Sequence, residues 1–146
     1  MKAEVTINEL RVGNFVYGVN EYQGTALPIY SLHGDNTLRL LVGNESIGCF
    51  RVGLIKPIEI TDEWLEMFGA NCIGAKGWNF ISVNKADTSY IYFNPNGIGL
   101  AIDNGTTESA IEVEIKYVHQ LQNLYFALTN TELTIKTKWN TSTNYF

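Results

Sequence analysis

Ala26-Leu27-Pro28-Ile29-Tyr30-Ser31-Leu32, Thr37-Leu38-Arg39-Leu40-Leu41-Val42 and Ser46-Ile47-Gly48-Cys49-Phe50-Arg51-Val52 are three short apolar-rich runs. Between them lie His33-Gly34-Asp35-Asn36 and Gly43-Asn44-Glu45, both of turn composition. Short runs at this spacing predict a meander of antiparallel strands. Pro28 cannot donate to a ladder, so its run is expected at a sheet edge or at a bulge. Upstream, Gly13-Asn14 forms a turn that opens a further β run through Phe15-Val16-Tyr17. Together these runs predict a small antiparallel β-barrel or curled sheet.

Downstream, Pro57 restricts Lys56 to extended geometry. Thr61 then supplies an N-cap for a helix starting Asp62-Glu63, whose carboxylates suit the positive end. Trp64, Leu65 and Phe68 give that helix one apolar face, and Gly69 stands where a C-terminal cap is wanted. Trp78–Val83, Ser89–Phe93 and Ile98–Ile102 are expected strands. Asn94-Pro95-Asn96-Gly97 has the chemistry of a type I turn joining the last two as a hairpin. Ala110–Ile115 alternates as a half-buried strand. Tyr117–Leu128 carries Val118, Leu121, Leu124, Tyr125 and Leu128 at helical spacing, and Thr131–Thr137 is expected as a final strand.

The fold class is therefore α+β: a small antiparallel β-barrel or curled sheet, a second antiparallel sheet and two short helices. No repeat, linker or composition shift divides the chain, and 146 residues suit one core, so a single domain over 1–146 is expected. With 45% hydrophobic and 17% charged residues the chain has the composition of a folded domain.

Three segments carry a resemblance. They are Leu10-Arg11-Val12-Gly13-Asn14-Phe15-Val16-Tyr17, the stretch from Lys56 to Gly69 (KPIEITDEWLEMFG), and that from Lys116 to Thr129 (KYVHQLQNLYFALT). In order and spacing the chain resembles a family of small phage and prophage proteins of Bacteroidota. The resemblance implies a phage or prophage origin. It brings no catalytic or binding residue with it.

The residues exclude several chemistries on their own. The net charge is −5, and the ten Lys and Arg side chains are scattered singly, so duplex nucleic acid is not an expected partner. Met1-Lys2-Ala3-Glu4-Val5 alternates polar and apolar instead of running into a signal core, and no run approaches the ~20 apolar residues of a membrane span. The expectation is a protein of the host cytoplasm with no membrane partner. Cys49, Cys72, His33 and His119 lack the close pair spacing of a zinc site, so no metal is expected. Both cysteines are expected reduced and buried. Gly97-Ile98-Gly99 lacks the third glycine of a dinucleotide fingerprint, and no cofactor is expected. No catalytic residue is assigned, and the protein is not expected to be an enzyme.

One helix face is unexplained by these rules. His119, Gln122, Asn123 and Phe126 fall opposite the apolar stripe of the second helix. Either a second layer covers them, such as a C-terminal tail carrying Trp139 or Phe146, or they form an interaction face. Two function classes stay open. The first is a non-enzymatic module binding a host or phage protein, with self-association included. The second is an anti-defence protein that sequesters a nucleotide signalling ligand.

Overall fold

The computed structural model describes residues 5–72, 78–80, 88–94, 97–103, 108–113 and 115–135, with side chains described for 5–70, 115–127 and 130–135. These residues group into two compact units. The first takes the described residues up to Glu59 together with Tyr117–Asn123. The second takes those from Ile60 to Lys116 together with those from Leu124 onward.

In the first unit, β1 (Phe15–Tyr17), β2 (Ala26–Leu32), β3 (Thr37–Val42) and β4 (Glu45–Arg51) form an antiparallel sheet in the order β1-β2-β3-β4. The expected meander is present, but it is open: β1 and β4 are its two edges and do not pair. Four strands, one of them only three residues long, cannot supply the stagger that barrel closure needs. Pro28 sits in an interior strand, at the point where β2 changes partner. Residues 26–28 pair with β1, whereas Ile29 onward pairs with β3. A register shift between Ile29 and Ser31 leaves Tyr30 as the extra residue. The run is therefore not an edge strand; it does carry a bulge, at Tyr30, while Pro28 itself pairs in register with Phe15.

A second irregularity faces it across β3. Leu38 pairs with Phe50 and Leu40 with Ile47, so Gly48 and Cys49 together oppose Arg39. Gly48 has φ +69, and a Cβ there would run into the ring of Phe50. The kink turns Cys49 outward, with its Sγ 3.4 Å from Thr37 Oγ1. The expectation of a buried Cys49 is thus corrected: it is exposed, because the bulge inverts the face on which its side chain emerges. The core of this unit packs Val16, Leu27, Ile29, Leu38, Leu40, Val52 and Ile55 with Val5 and Leu10.

In the second unit, α1 (Asp62–Met67) begins and ends as its sequence requires. Thr61 Oγ1 accepts from the Trp64 N–H. Gly69 N–H donates to Glu66 O and Ala70 N–H to Leu65 O, the paired bonds of a Schellman stop. Trp64, Leu65, Met67 and Phe68 are buried, and the Trp64 and Phe68 rings lie 5.6 Å apart. β5 (Asn71–Cys72), β6 (Trp78–Phe80), β7 (Thr88–Asn94), β8 (Gly97–Asp103) and β9 (Glu108–Val113) make a five-stranded antiparallel sheet in sequence order. The expected hairpin is β7–β8, with Asn94 opposite Gly97. Its turn residues 95 and 96, the Cys72 side chain and the tail from Lys138 lie outside the described residues.

The helix α2 (Val118–Thr129) lends residues to both units. Val118 and Leu121 are fully buried, and Leu124 and Tyr125 are half-buried. Residues 131–135 form no strand, against expectation. Among them Leu133 is the buried side chain.

Candidate functional site

Arg11-Val12-Gly13-Asn14 is a tight turn closed by Asn14 N–H donating to Arg11 O, 3.1 Å. Gly13 is its third residue, with φ +94, the conformation a type II turn demands there. The same glycine opens a bulge against β2. Its N–H donates to Ile29 O, while Ile29 N–H donates to Asn14 O, both at 2.9 Å. Asn14 is fully buried, and its Oδ1 accepts from Arg11 N–H at 2.8 Å.

The start of α2 lies against this turn. Val118 N–H donates to Ile58 O, and Gln120 Oε1 accepts from Tyr117 N–H, the reciprocal half of a capping box. His119, Gln122 and Asn123 then fall at i, i+3 and i+4, on one face. Gln122 bridges the chain on both sides of Asn14. Its Nε2 donates to Gly13 O at 3.1 Å, and its Oε1 accepts from Phe15 N–H at 2.9 Å. Asn123 Nδ2 donates to Glu9 O at 2.7 Å. Its Oδ1 accepts from Asn14 Nδ2 and from the Arg11 guanidinium, at 3.0 and 3.2 Å. His119 Nε2–H donates to Glu9 Oε1 at 2.9 Å, the direction an ionised carboxylate requires.

Of the two expectations for the face of His119, Gln122, Asn123 and Phe126, a covering second layer holds for His119 and Gln122, and an outward interaction face is corrected for those two. His119 is 0% exposed and Gln122 1%, and what covers them is the segment 9–15. The physical reason is the turn's own backbone, whose donors and acceptors are buried and must be paired. Side-chain amides, which donate and accept at once, suit that task. Phe126 belongs to the second unit and is half-buried. Glu9, Arg11 and Asn14 were not singled out from the sequence. One signal was available: α2 carries no Asp, Glu, Lys or Arg, unlike an ordinary solvated helix face.

These side chains clamp the segment 9–15 onto the start of α2. Burial pushes the His119 ring below its ordinary pKa, with the hydrogen bond and charge of Glu9 acting in the opposite direction. Its Nδ1 is buried without a hydrogen-bond partner. Elsewhere in this unit Asp35, Asn36, Thr37, Arg51, Val52, Gly53 and Leu54 line an open cleft of about 450 Å³. The hydrogen bond from Thr37 holds the Asp35 carboxyl below its usual value. Among the described residues no three His, Cys, Asp or Glu side chains gather as a metal would require, and no helix is long and apolar enough to cross a membrane. Among the residues whose side chains are described, three large apolar ones stand more than half exposed: Val12 (55%), Tyr30 (53%) and Leu54 (56%).

Comparison of the chain with protein-family models, with curated proteins and with solved structures gives no match.

Proposed function

We propose that the chain is a non-enzymatic protein-binding module, a small accessory protein of phage or prophage origin acting in the host cytoplasm on a host or phage protein. The observation that carries this reading is the placement of Val12 and Tyr30. Gly13 N–H meets Ile29 O, so Val12 and Tyr30 are the next residues along two paired segments, and both side chains are exposed. Val12 rides on a turn whose base is held by Gln122 and Asn123, and Tyr30 is pushed out of its strand by a bulge. Exposed apolar side chains on backbone held before binding lose little freedom on association.

Sequestration of a nucleotide signal is the second reading, and the cleft at Arg51 is of a size a small ligand would fill. Its lining argues for the first reading, because one cation, Arg51, shares that lining with a carboxylate, Asp35, which disfavours a phosphate.

Val12→Ser and Tyr30→Ser should each melt close to wild type, within about 0.5 kcal/mol, as exposed positions do. In pull-downs from phage-infected cells read by mass spectrometry, a protein retained by the wild type should be lost from both variants. Retention by both variants of everything the wild type retains would overturn the assignment of this surface. Submicromolar binding of a labelled cyclic dinucleotide, abolished by Arg51→Ala, would establish the second reading instead.

A further inference from the structure

We infer that His119 and Glu9 form an acid-sensitive latch, in which protonation of the buried His119 ring releases the segment 9–15 from α2. The device belongs to the fold and stands whether or not Val12 and Tyr30 meet a partner. His119 is the buried titratable member of the clamp. Its ring is fully buried, its Nε2–H is committed to Glu9, and its Nδ1 faces no acceptor. A second proton would go to Nδ1, creating a buried donor with nothing to receive it and a charge taken out of water.

Of the charged and titratable groups on the elements that meet the start of α2, Glu9 and Tyr117 touch the ring, and Arg11 lies on the Glu9 segment. Glu59 and Lys116 flank the ring's neighbour Tyr117, the first across a β-bridge and the second in the chain. Glu9 is the group that would favour the charged ring, but its side chain is 39% exposed and water weakens the pairing. Arg11 is turned to Asn123 Oδ1, and the Tyr117 ring stacks on the imidazole at 6.0 Å. Desolvation is the stronger influence, so the folded ring binds its proton less readily than an unfolded one. The sign follows. The clamp is at full strength above the ordinary histidine value of 6.5, and its stability is lost as pH falls through the depressed folded value.

Amide hydrogen exchange on the intact chain tests this at Phe15, whose N–H is held by Gln122 Oε1. Its protection factor, corrected for intrinsic exchange, should be level above about pH 6.5 and fall by up to about tenfold per pH unit below it, as one-proton linkage requires. In His119→Gln, whose amide keeps a donor for Glu9, the profile should be level throughout. The ring signal of His119, told apart from that of His33 with a His33→Asn variant, should titrate below 6.5. Three results would overturn the latch: level wild-type protection from about pH 8 to about pH 5, a pH dependence that survives in His119→Gln, or a ring midpoint at or above 6.5. Should His119→Gln fail to fold, the wild-type exchange profile and the ring titration decide between them.

Discussion

Gln122 does the work of a strand neighbour with a side chain. Its amide meets Gly13 O and Phe15 N–H as a paired peptide group would. Gln122→Ala orphans both, at about 1–3 kcal/mol for each buried group. Gln122→Glu keeps the acceptor for Phe15 but turns a carboxylate oxygen toward the Gly13 carbonyl, so it should be no milder. Urea denaturation of the two variants beside wild type checks both expectations. Trp64 is the comparable residue of the second unit. It is buried with Leu65 and Phe68, so Trp64→Ala should cost about 3–5 kcal/mol. A denaturation curve that overlays wild type would refute that placement.

At the scale of the element, the sheet of the first unit is shaped by its irregularities. Tyr30 is extruded on one side of β3, and Gly48-Cys49 on the other, with Arg39 between them. The Arg39 guanidinium reaches Ser46, at 3.0 Å to Oγ and 3.2 Å to the carbonyl, which ties β3 to the bulged strand. Gly13 and Gly48 allow a quantitative comparison. Both have positive φ, but a Cβ on Gly13 meets nothing within 4 Å, whereas one on Gly48 strikes Phe50. Gly13→Ala should therefore cost only the conformational term, about 1–2 kcal/mol. Gly48→Ala should cost more, because the Phe50 ring must also move. Thermal melts of the pair order the two, and equal losses would mean that Phe50 yields freely.

For the whole molecule, charge decides what approaches it. Fifteen Asp and Glu against ten Lys and Arg, without a basic cluster, leave few counterions to release from a phosphate backbone. Labelled duplex DNA titrated at low salt should show no submicromolar binding. Tight binding with a steep salt dependence would contradict this and point to a local basic surface that net charge conceals.

Local chemistry made several elements legible from the residues alone. Thr61, the acidic first turn and Gly69 bracket α1 because caps act within one turn of chain. The spaced apolar runs predict the strands because burial on one face imposes a period. The α+β class and both antiparallel sheets follow from these patterns. Whether the first sheet closes does not, since closure depends on strand number and stagger across the sheet. The exposure of Cys49 was hidden for a similar reason. A single inserted residue at Gly48 reverses the alternation, and only the register with β3 reveals it. The polar face of α2 is the clearest case. Helical spacing placed His119, Gln122 and Asn123 together and opposite the apolar stripe. Only the tertiary structure could turn that face inward, because the groups it satisfies belong to a turn more than a hundred residues away in sequence.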